Sequence, residues 1–189
     1  QYAGICHSDI HQVRGEWGGE TFPMVPGHEI VGTVAEVGSE VTAHRVGDTV
    51  GVGCFVDSCL ECAACKDGEE QYCTKGVVQT YNDEGYDGER THGGYSRQVV
   101  VRDHFVVRIP EGMDLAATTP LLCAGITTYH PLKEHGAGPG KRVGVIGLGG
   151  LGHVAVKIAA AMGAEVSVLS RTDAKAEDGK AFGATAYYA

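Results

Sequence analysis

Four cysteines are concentrated in one short, polar stretch of the chain. They follow a C-x2-C-x2-C-x7-C spacing at Cys59, Cys62, Cys65 and Cys73. Four thiolates so spaced can surround one zinc ion tetrahedrally, with the short gaps forming the turns between ligands. Disulfides are disfavoured, because the three cysteines at two-residue gaps cannot all pair with one another. An iron–sulfur cluster stays open as an alternative, since thiolate quartets also hold such clusters.

The same spacing predicts what kind of site this is. Four protein ligands fill every position around a tetrahedral ion and leave none for water or substrate. We therefore expect a structural metal site, carried by a lobe that spans residues 54–75.

A second set of possible metal ligands is dispersed along the chain. Cys6 lies in a Gly-Ile-Cys-His-Ser-Asp stretch, His28 and Glu29 follow a Pro-Gly pair, and Cys123 lies in an apolar segment. Catalytic zinc commonly takes three protein ligands, and two cysteines with one histidine is one of the sets it uses. Taken alone, each residue is more often part of a core, and spacing alone cannot join residues so far apart.

Together these stretches resemble the zinc-containing medium-chain dehydrogenases. Within that family, the sequence is most similar to the branch of cinnamyl alcohol dehydrogenases and bacterial NADP-dependent aldehyde reductases. The matching stretches are spread over nearly the whole chain: Gly4 to His11, Pro26 to Gly38, Val50 to Cys73, His92 to Ser96, Leu121 to Tyr129 and Val143 to Gly152.

The resemblance implies an open metal site. Cys6, His28 and Cys123 would be the ligands of a catalytic zinc ion. Glu29 would be the neighbouring acid that approaches the metal when water leaves. Cys54 matches no ligand of the family, and we interpret it as a small buried residue.

The resemblance also implies roles around the metal. Asp9 would orient the imidazole of His28, a role that carboxylates commonly take beside metal-bound histidine. Ser8 and His11 would form a proton relay, and Trp17 would line the substrate pocket.

A glycine-rich turn carries the pattern of a dinucleotide site. Gly147, Gly149 and Gly152 fit G-x-G-x-x-G, with Gly150 and Leu151 between them. The pattern alone is weak, but here it follows an apolar strand and opens a helix, as a dinucleotide site requires. The backbone N–H groups at the helix start can then hold a pyrophosphate.

The end of the next strand indicates which cofactor is used. NAD enzymes usually place an acid there for the ribose 2′-hydroxyl. This chain instead has Ser170 and Arg171, with Lys175 following. A guanidinium offers a planar fork of donors to a 2′-phosphate, and the three residues resemble the NADP pocket of the same branch. We therefore predict NADP(H) rather than NAD(H). The alternative is an exposed, solvated loop.

The first 112 residues are predicted to be mainly β. Strands are expected at residues 30–37, 46–52, 95–101 and 105–109, where β-branched residues dominate. The resemblance implies that residues 1–112 form a GroES-like, partly open β-barrel that carries the catalytic residues.

The remaining residues, 113–189, are predicted to be α/β. We expect an interrupted helix at 114–134, then a strand at 142–147, a helix near 151–162 and a strand at 165–170. This order is typical of the opening of a Rossmann domain. We interpret that domain as incomplete, because only about 37 residues follow Gly152 and a dinucleotide fold needs two such halves.

Composition excludes several classes of function. The net charge is −9 and no basic run occurs, so a nucleic-acid partner is not expected. No apolar run is long enough to span a bilayer, and we expect a cytoplasmic protein. The chain opens at Gln1 inside a motif, which indicates a fragment.

The sequence therefore predicts a zinc-dependent oxidoreductase with two zinc ions per chain and NADP(H). It would interconvert primary alcohols and aldehydes, with broad or aromatic, cinnamyl-type specificity, and the resemblance implies a homodimer at full length. The alternative is a catalytically inactive zinc-binding relative with a structural or binding role. That alternative is disfavoured because Cys6, His28, Glu29 and Cys123 are all present.

Overall fold

The computed structural model describes residues 1–189. The chain divides into two compact units, Gln1–Cys123 and Ala124–Ala189. The predicted boundary lay at residue 112, so residues 113–123 lie in the first unit.

The first unit consists of short strands and helices. Its strands are β1 Tyr2–Ala3, β2 Ile30–Thr33, β3 Thr49–Val52, β4 Phe55–Asp57, β5 Val78–Gln79 and β6 Val106–Arg108. Its helices are α1 His7–Arg14, α2 Ala63–Lys66 and α3 Leu115–Thr118, with 3₁₀ turns at Glu70–Tyr72, Asp103–Phe105 and Thr119–Leu122.

An antiparallel sheet holds this unit together, with strand order β1-β2-β3-β6, and β4 pairs with β5 in a second, two-stranded sheet. Val52, Val56 and Val78 form a buried cluster, as expected where β-branched side chains pack on a pleated surface. The 3₁₀ turn before Cys123 packs on β3, because a Cβ added at Gly51 would lie 2.9 Å from Leu122. This packing explains why residues 113–123 belong to the first unit.

The predicted strand at 95–101 is wrong. Tyr95 to Arg97 form a bend, and Val100 is fully exposed. The Ser96 hydroxyl donates hydrogen bonds to the carbonyls of Gly93 and Gln98, which are therefore engaged in a turn rather than a ladder. A β-branched run predicts a strand only where a neighbouring strand takes up its backbone groups.

The second unit alternates strands and helices. Its strands are β7 Arg142–Ile146, β8 Glu165–Leu169 and β9 Ala186–Tyr188, and its helices are α4 Ala124–Glu134, α5 Gly150–Ala161 and α6 Ala176–Ala181. The strands are parallel in the order β7-β8-β9. Val156, Ala159, Val166 and Val168 are completely buried in its core. The predicted β-turn-α-β order is confirmed.

The predicted helix at 114–134 is divided in three: α3, the 3₁₀ turn Thr119–Leu122 and α4. Pro120 lies in the 3₁₀ turn, as expected for a residue without a backbone N–H. Gly125, in contrast, lies inside α4 and does not interrupt it.

None of the helices is both long enough and apolar enough to cross a membrane.

Candidate metal centres and cofactor cleft

The four cysteines of the lobe converge on one point. Their sulfur atoms all lie within 4.8 Å of one another. The Sγ atoms of Cys62 and Cys65 are 3.4 Å apart, and those of Cys59 and Cys65 are 3.9 Å apart. Zinc–sulfur bonds of about 2.3 Å in a tetrahedron place the sulfurs about 3.8 Å apart. A multi-iron cluster is larger than one ion and would hold the thiolates farther apart, so the quartet fits a single ion.

Backbone N–H groups point at these sulfurs. The amide of Cys59 donates to the Sγ of Cys73 (3.5 Å), and the amide of Cys62 donates to the Sγ of Cys59 (3.4 Å). The Ser58 hydroxyl lies 3.3 Å from the Sγ of Cys65. Such donors favour thiolates over thiols.

The thiol pKa values reflect the same arrangement. Backbone N–H groups of Cys65 and Thr74 lower the pKa of Cys62 to about 6. The Ser58 hydroxyl lowers the pKa of Cys65, but burial and the neighbouring thiolates outweigh it and raise this pKa to about 11. Mutual repulsion disfavours the ionisation of all four thiols together, and a cation between them would remove that penalty.

The second set of metal-binding residues also converges, although its members are dispersed in sequence. Cys6 is the N-cap of α1, while His28 and Glu29 directly precede β2. Cys123 follows the 3₁₀ turn that packs on β3. The ligand atoms of all four residues lie within 4.8 Å of one another. His28, Glu29 and Cys123 are buried and Cys6 is half-buried.

Asp9 is the buried anion behind this site, with only 2% of its surface exposed. Its Oδ1 lies 3.1 Å from the Nδ1 of His28 and accepts a hydrogen bond from the amide of Gly27 (3.0 Å). Its Oδ2 accepts hydrogen bonds from the amide of Cys6 (3.0 Å) and the hydroxyl of Tyr95 (3.2 Å). An ionised carboxylate only accepts, so the proton of the imidazole lies on Nδ1 and Nε2 is free for a metal.

Electrostatics at this site stabilise positive charge on or beside the imidazole of His28. Burial works against the imidazolium, but hydrogen bonds with Asp9 and Cys123 raise the pKa of His28 to about 11. Burial alone would raise the pKa of Asp9, yet its hydrogen bonds with His28 and the amide of Cys6 hold that pKa below the ordinary value. A site that holds a proton so strongly also suits a cation.

Glu29 is buried against the start of the chain. Burial raises the pKa of its carboxyl group. A Cβ added at Gly4 would lie only 1.9 Å from its Oε2, so a side chain at residue 4 would displace this carboxylate.

The residues predicted for proton transfer lie on α1. The Ser8 hydroxyl is 3.6 Å from the Sγ of Cys6, and His11 lies one helical turn further on. The ring of His11 stacks on Trp17, with centroids 5.2 Å apart, and its Nδ1 is hydrogen-bonded to Glu16.

Sequence reasoning missed Glu16, Tyr81 and Tyr95. Gly15 ends α1 in the left-handed region with φ of 65°, which turns Glu16 back toward His11. This C-terminal glycine was a readable signal. No pattern in the sequence indicated that the hydroxyls of Tyr95 and Tyr81 would reach Asp9.

Cys54 is half-buried, as a small packed residue would be. It nevertheless interacts with the thiol of Cys123, and this hydrogen bond lowers the pKa of Cys54. It therefore lies beside the second site rather than in an unrelated part of the core.

The second unit contains a cleft of about 890 Å³ at the carboxyl ends of β7 and β8. Of the predicted cofactor residues, it is lined by Gly147, Gly149, Ser170, Arg171 and Lys175. No atom comes within 4 Å of a Cβ added at Gly147 or Gly149, which leaves open space above the turn. That space fits a pyrophosphate at the start of α5.

The other three predicted cofactor residues, Gly150, Leu151 and Gly152, lie in the first turn of α5 and do not line this cleft. A Cβ added at Gly152 would lie 1.9 Å from the carbonyl oxygen of Gly147. Its part is to let the helix pack against the turn, as the third glycine of this pattern does.

The fold and the two cysteine-rich sites define a class of protein, a β domain with candidate metal ligands followed by a parallel α/β unit with a dinucleotide-type turn. Residues 1–111 match the alcohol dehydrogenase GroES-like domain, and the chain belongs to this family. The predicted GroES-like domain is thereby confirmed.

Curated relatives agree with this assignment. An NADP-dependent alcohol dehydrogenase C 1 from Mycolicibacterium smegmatis is 65% identical over 189 residues, which is 100% of this chain and 54% of that protein. Cinnamyl alcohol dehydrogenase 8 from Arabidopsis thaliana is 54% identical over 178 residues, covering 94% of this chain and 49% of that protein. The chain spans about half the length of the curated relatives it matches.

A solved structure gives the same result. The crystal structure of CAD from Helicobacter pylori complexed with NADP(H) superposes with a TM-score of 0.92 at 50% identity. The match covers 98% of this chain and 54% of that one. The predicted resemblance to the cinnamyl alcohol dehydrogenase branch is confirmed.

Proposed function

We propose that the full-length protein is a zinc-dependent oxidoreductase that interconverts primary alcohols and aldehydes, using NADP(H). Its specificity for aldehydes would be broad or directed to aromatic, cinnamyl-type aldehydes. The observation that carries this proposal is the convergence of Cys6, His28, Glu29 and Cys123, with ligand atoms within 4.8 Å of one another. Two thiolates and one imidazole match a catalytic zinc site that leaves one position free.

The donor set fits zinc because it combines soft sulfur with an imidazole fixed in one tautomer by Asp9. When bound there, zinc supplies Lewis-acid polarisation of the substrate oxygen. The four-cysteine lobe would hold a second, structural zinc ion.

Ser8 and His11 would transfer the proton of the alcohol substrate to solvent. The Ser8 hydroxyl lies beside Cys6 and can accept the proton of an alcohol that enters the site. His11, one turn along α1, can take that proton toward solvent, since its ring is hydrogen-bonded to the exposed Glu16. The hydrogen bond with His11 lowers the pKa of Glu16, so this carboxylate stays ionised beside the ring.

The cleft in the second unit would hold the cofactor. The amides of the turn at Gly147 to Gly149 suit the pyrophosphate, and Arg171 suits a 2′-phosphate. Arg171 is exposed and forms no ion pair within the chain, while the nearest acid in sequence, Asp173, does not line the cleft. Relatives named as NADP-dependent support the same choice. We also propose that the full-length protein is cytoplasmic and acts as a homodimer.

Initial rates of NADPH and NADH oxidation by the full-length protein, with cinnamaldehyde and with aliphatic aldehydes, test this function. We expect turnover that prefers NADPH and is lost with a zinc chelator. Turnover with NADH alone would overturn the cofactor assignment. Absence of turnover with every aldehyde would favour the inactive zinc-binding relative.

A further inference from the structure

The loop that carries Arg171 and Lys175 forms three hydrogen bonds with the rest of the second unit. The amide of Ser170 donates to the carbonyl of Tyr188 (2.8 Å). The Nζ of Lys175 donates to the carbonyl of Leu148 in the glycine turn (2.9 Å). Between them, the hydroxyl of Tyr187 donates to the carbonyl of Thr172 (3.0 Å).

Of these three hydrogen bonds, only the one from Tyr187 is donated by a side chain that lies outside both the loop and the glycine turn. Tyr187 lies on β9, opposite Val168 of β8. Its ring packs on α6, because a Cβ added at Gly179 would lie 3.0 Å from its Cδ2. The ring therefore has a fixed position, and its hydroxyl holds the loop although Tyr187 itself does not line the cleft.

The hydrogen bond to the Thr172 carbonyl lies between the two basic residues of the loop. Thr172 follows Arg171 directly and is the N-cap of the 3₁₀ turn Asp173–Lys175. Fixing its carbonyl fixes the peptide plane between the strand end that carries Arg171 and the turn that carries Lys175. Arg171 itself has no partner within the chain, so its direction depends on this backbone.

We propose that Tyr187 is a specificity-determining residue that sets the preference for a 2′-phosphate without touching the cofactor. It does so by holding the Thr172 carbonyl, which fixes the backbone next to Arg171, whose guanidinium would meet the phosphate. This inference rests on the proposed use of NADP(H). The turn proposed for the pyrophosphate, Gly147 to Gly149, lies outside this loop, so loss of the bond should affect ligands that carry the 2′-phosphate.

The test is Tyr187→Phe in the full-length protein, which keeps the ring on Gly179 and removes only the hydroxyl. Tyr188→Phe is the matched control, because the Tyr188 side chain is exposed and forms no hydrogen bond, while its backbone carbonyl remains. Calorimetric dissociation constants are measured for 2′,5′-ADP and 5′-AMP. These ligands differ only in the 2′-phosphate, and the readout needs no turnover.

We expect wild type and Tyr188→Phe to bind 2′,5′-ADP more tightly than 5′-AMP by the same ratio. In Tyr187→Phe that ratio should fall about five-fold, the value of one ordinary hydrogen bond, with 5′-AMP binding unchanged. An unchanged ratio in Tyr187→Phe, or equal weakening of both ligands, overturns the role of Tyr187. A wild type without preference for 2′,5′-ADP instead overturns the proposed use of NADP(H).

Discussion

The two cysteine-rich sites of the first unit are built in opposite ways. The lobe would take all four ligands from Cys59 to Cys73, whose sulfurs accept hydrogen bonds from amides of the same segment. The second site would take its three ligands from residues 6, 28 and 123, with Glu29 beside them. Its order depends on β2, on α1 and on the turn that packs against β3.

The difference extends to charge. The lobe has hydrogen-bond donors around its sulfurs and no carboxylate among its ligands. The second site has a carboxylate within ligand distance, Glu29, and a buried one behind it, Asp9. A closed, local site suits a structural ion that folds its own loop. A dispersed site backed by a buried anion suits an ion whose surroundings must adjust during a reaction.

The largest difference should appear when one ligand is removed from each site. Cys62→Ser should release the lobe's zinc, lower the zinc content from two ions per chain to one and cause unfolding at much lower temperature. Structural zinc supplies about 10 kcal/mol or more of apparent folding free energy in small zinc domains. Metal analysis and thermal unfolding of the full-length protein check this.

Cys6→Ser is the counterpart at the second site. It should lower kcat/KM by about a thousand-fold, since Lewis-acid stabilisation is worth several kcal/mol, and leave the unfolding temperature near that of wild type. If Cys6→Ser unfolded as readily as Cys62→Ser, the assignment of one structural and one catalytic site would be wrong.

Asp9→Asn should have an intermediate effect. The amide can offer one oxygen to Gly27 and His28 but no charge, so zinc affinity at the second site should fall about 10- to 100-fold. Competition with a chromophoric chelator measures this affinity. Asp48→Asn is the control, because the Asp48 carboxylate pairs with Arg45 and Arg108 rather than with a residue of either site. Equal zinc affinities in the two variants would contradict the role of Asp9.

The smallest effect concerns a matched pair of tyrosines. Tyr95→Phe removes a donor to Asp9 at 3.2 Å and should speed zinc loss from the second site about five-fold. Tyr86→Phe removes a hydroxyl 3.9 Å from the Sγ of Cys73 and should leave that rate unchanged. Stopped-flow chelation measures the rate of zinc loss in both variants. Faster loss in Tyr86→Phe alone would contradict the role of the Tyr95 hydroxyl.

The sequence predicts the lobe and the parallel unit well because their determinants are local. Cysteine spacing is enough to predict the lobe. The strand, glycine turn and helix around Gly147 are enough to predict the parallel unit. The second site could not be assembled from spacing, and only resemblance joined Cys6 to Cys123. The strand expected at 95–101 failed, and the contact of Tyr95 with Asp9 went unseen, because both depend on neighbours distant in sequence.

The most direct test of this account is a chelation time course on the full-length protein, with zinc per chain and activity measured on the same samples. We predict two zinc ions per chain at the start. One should leave first, with activity falling in step and the fold retained, and the second should leave only as the protein unfolds. Activity that persisted after the first ion had left, or a protein isolated with a single zinc ion, would contradict the division into a catalytic and a structural site.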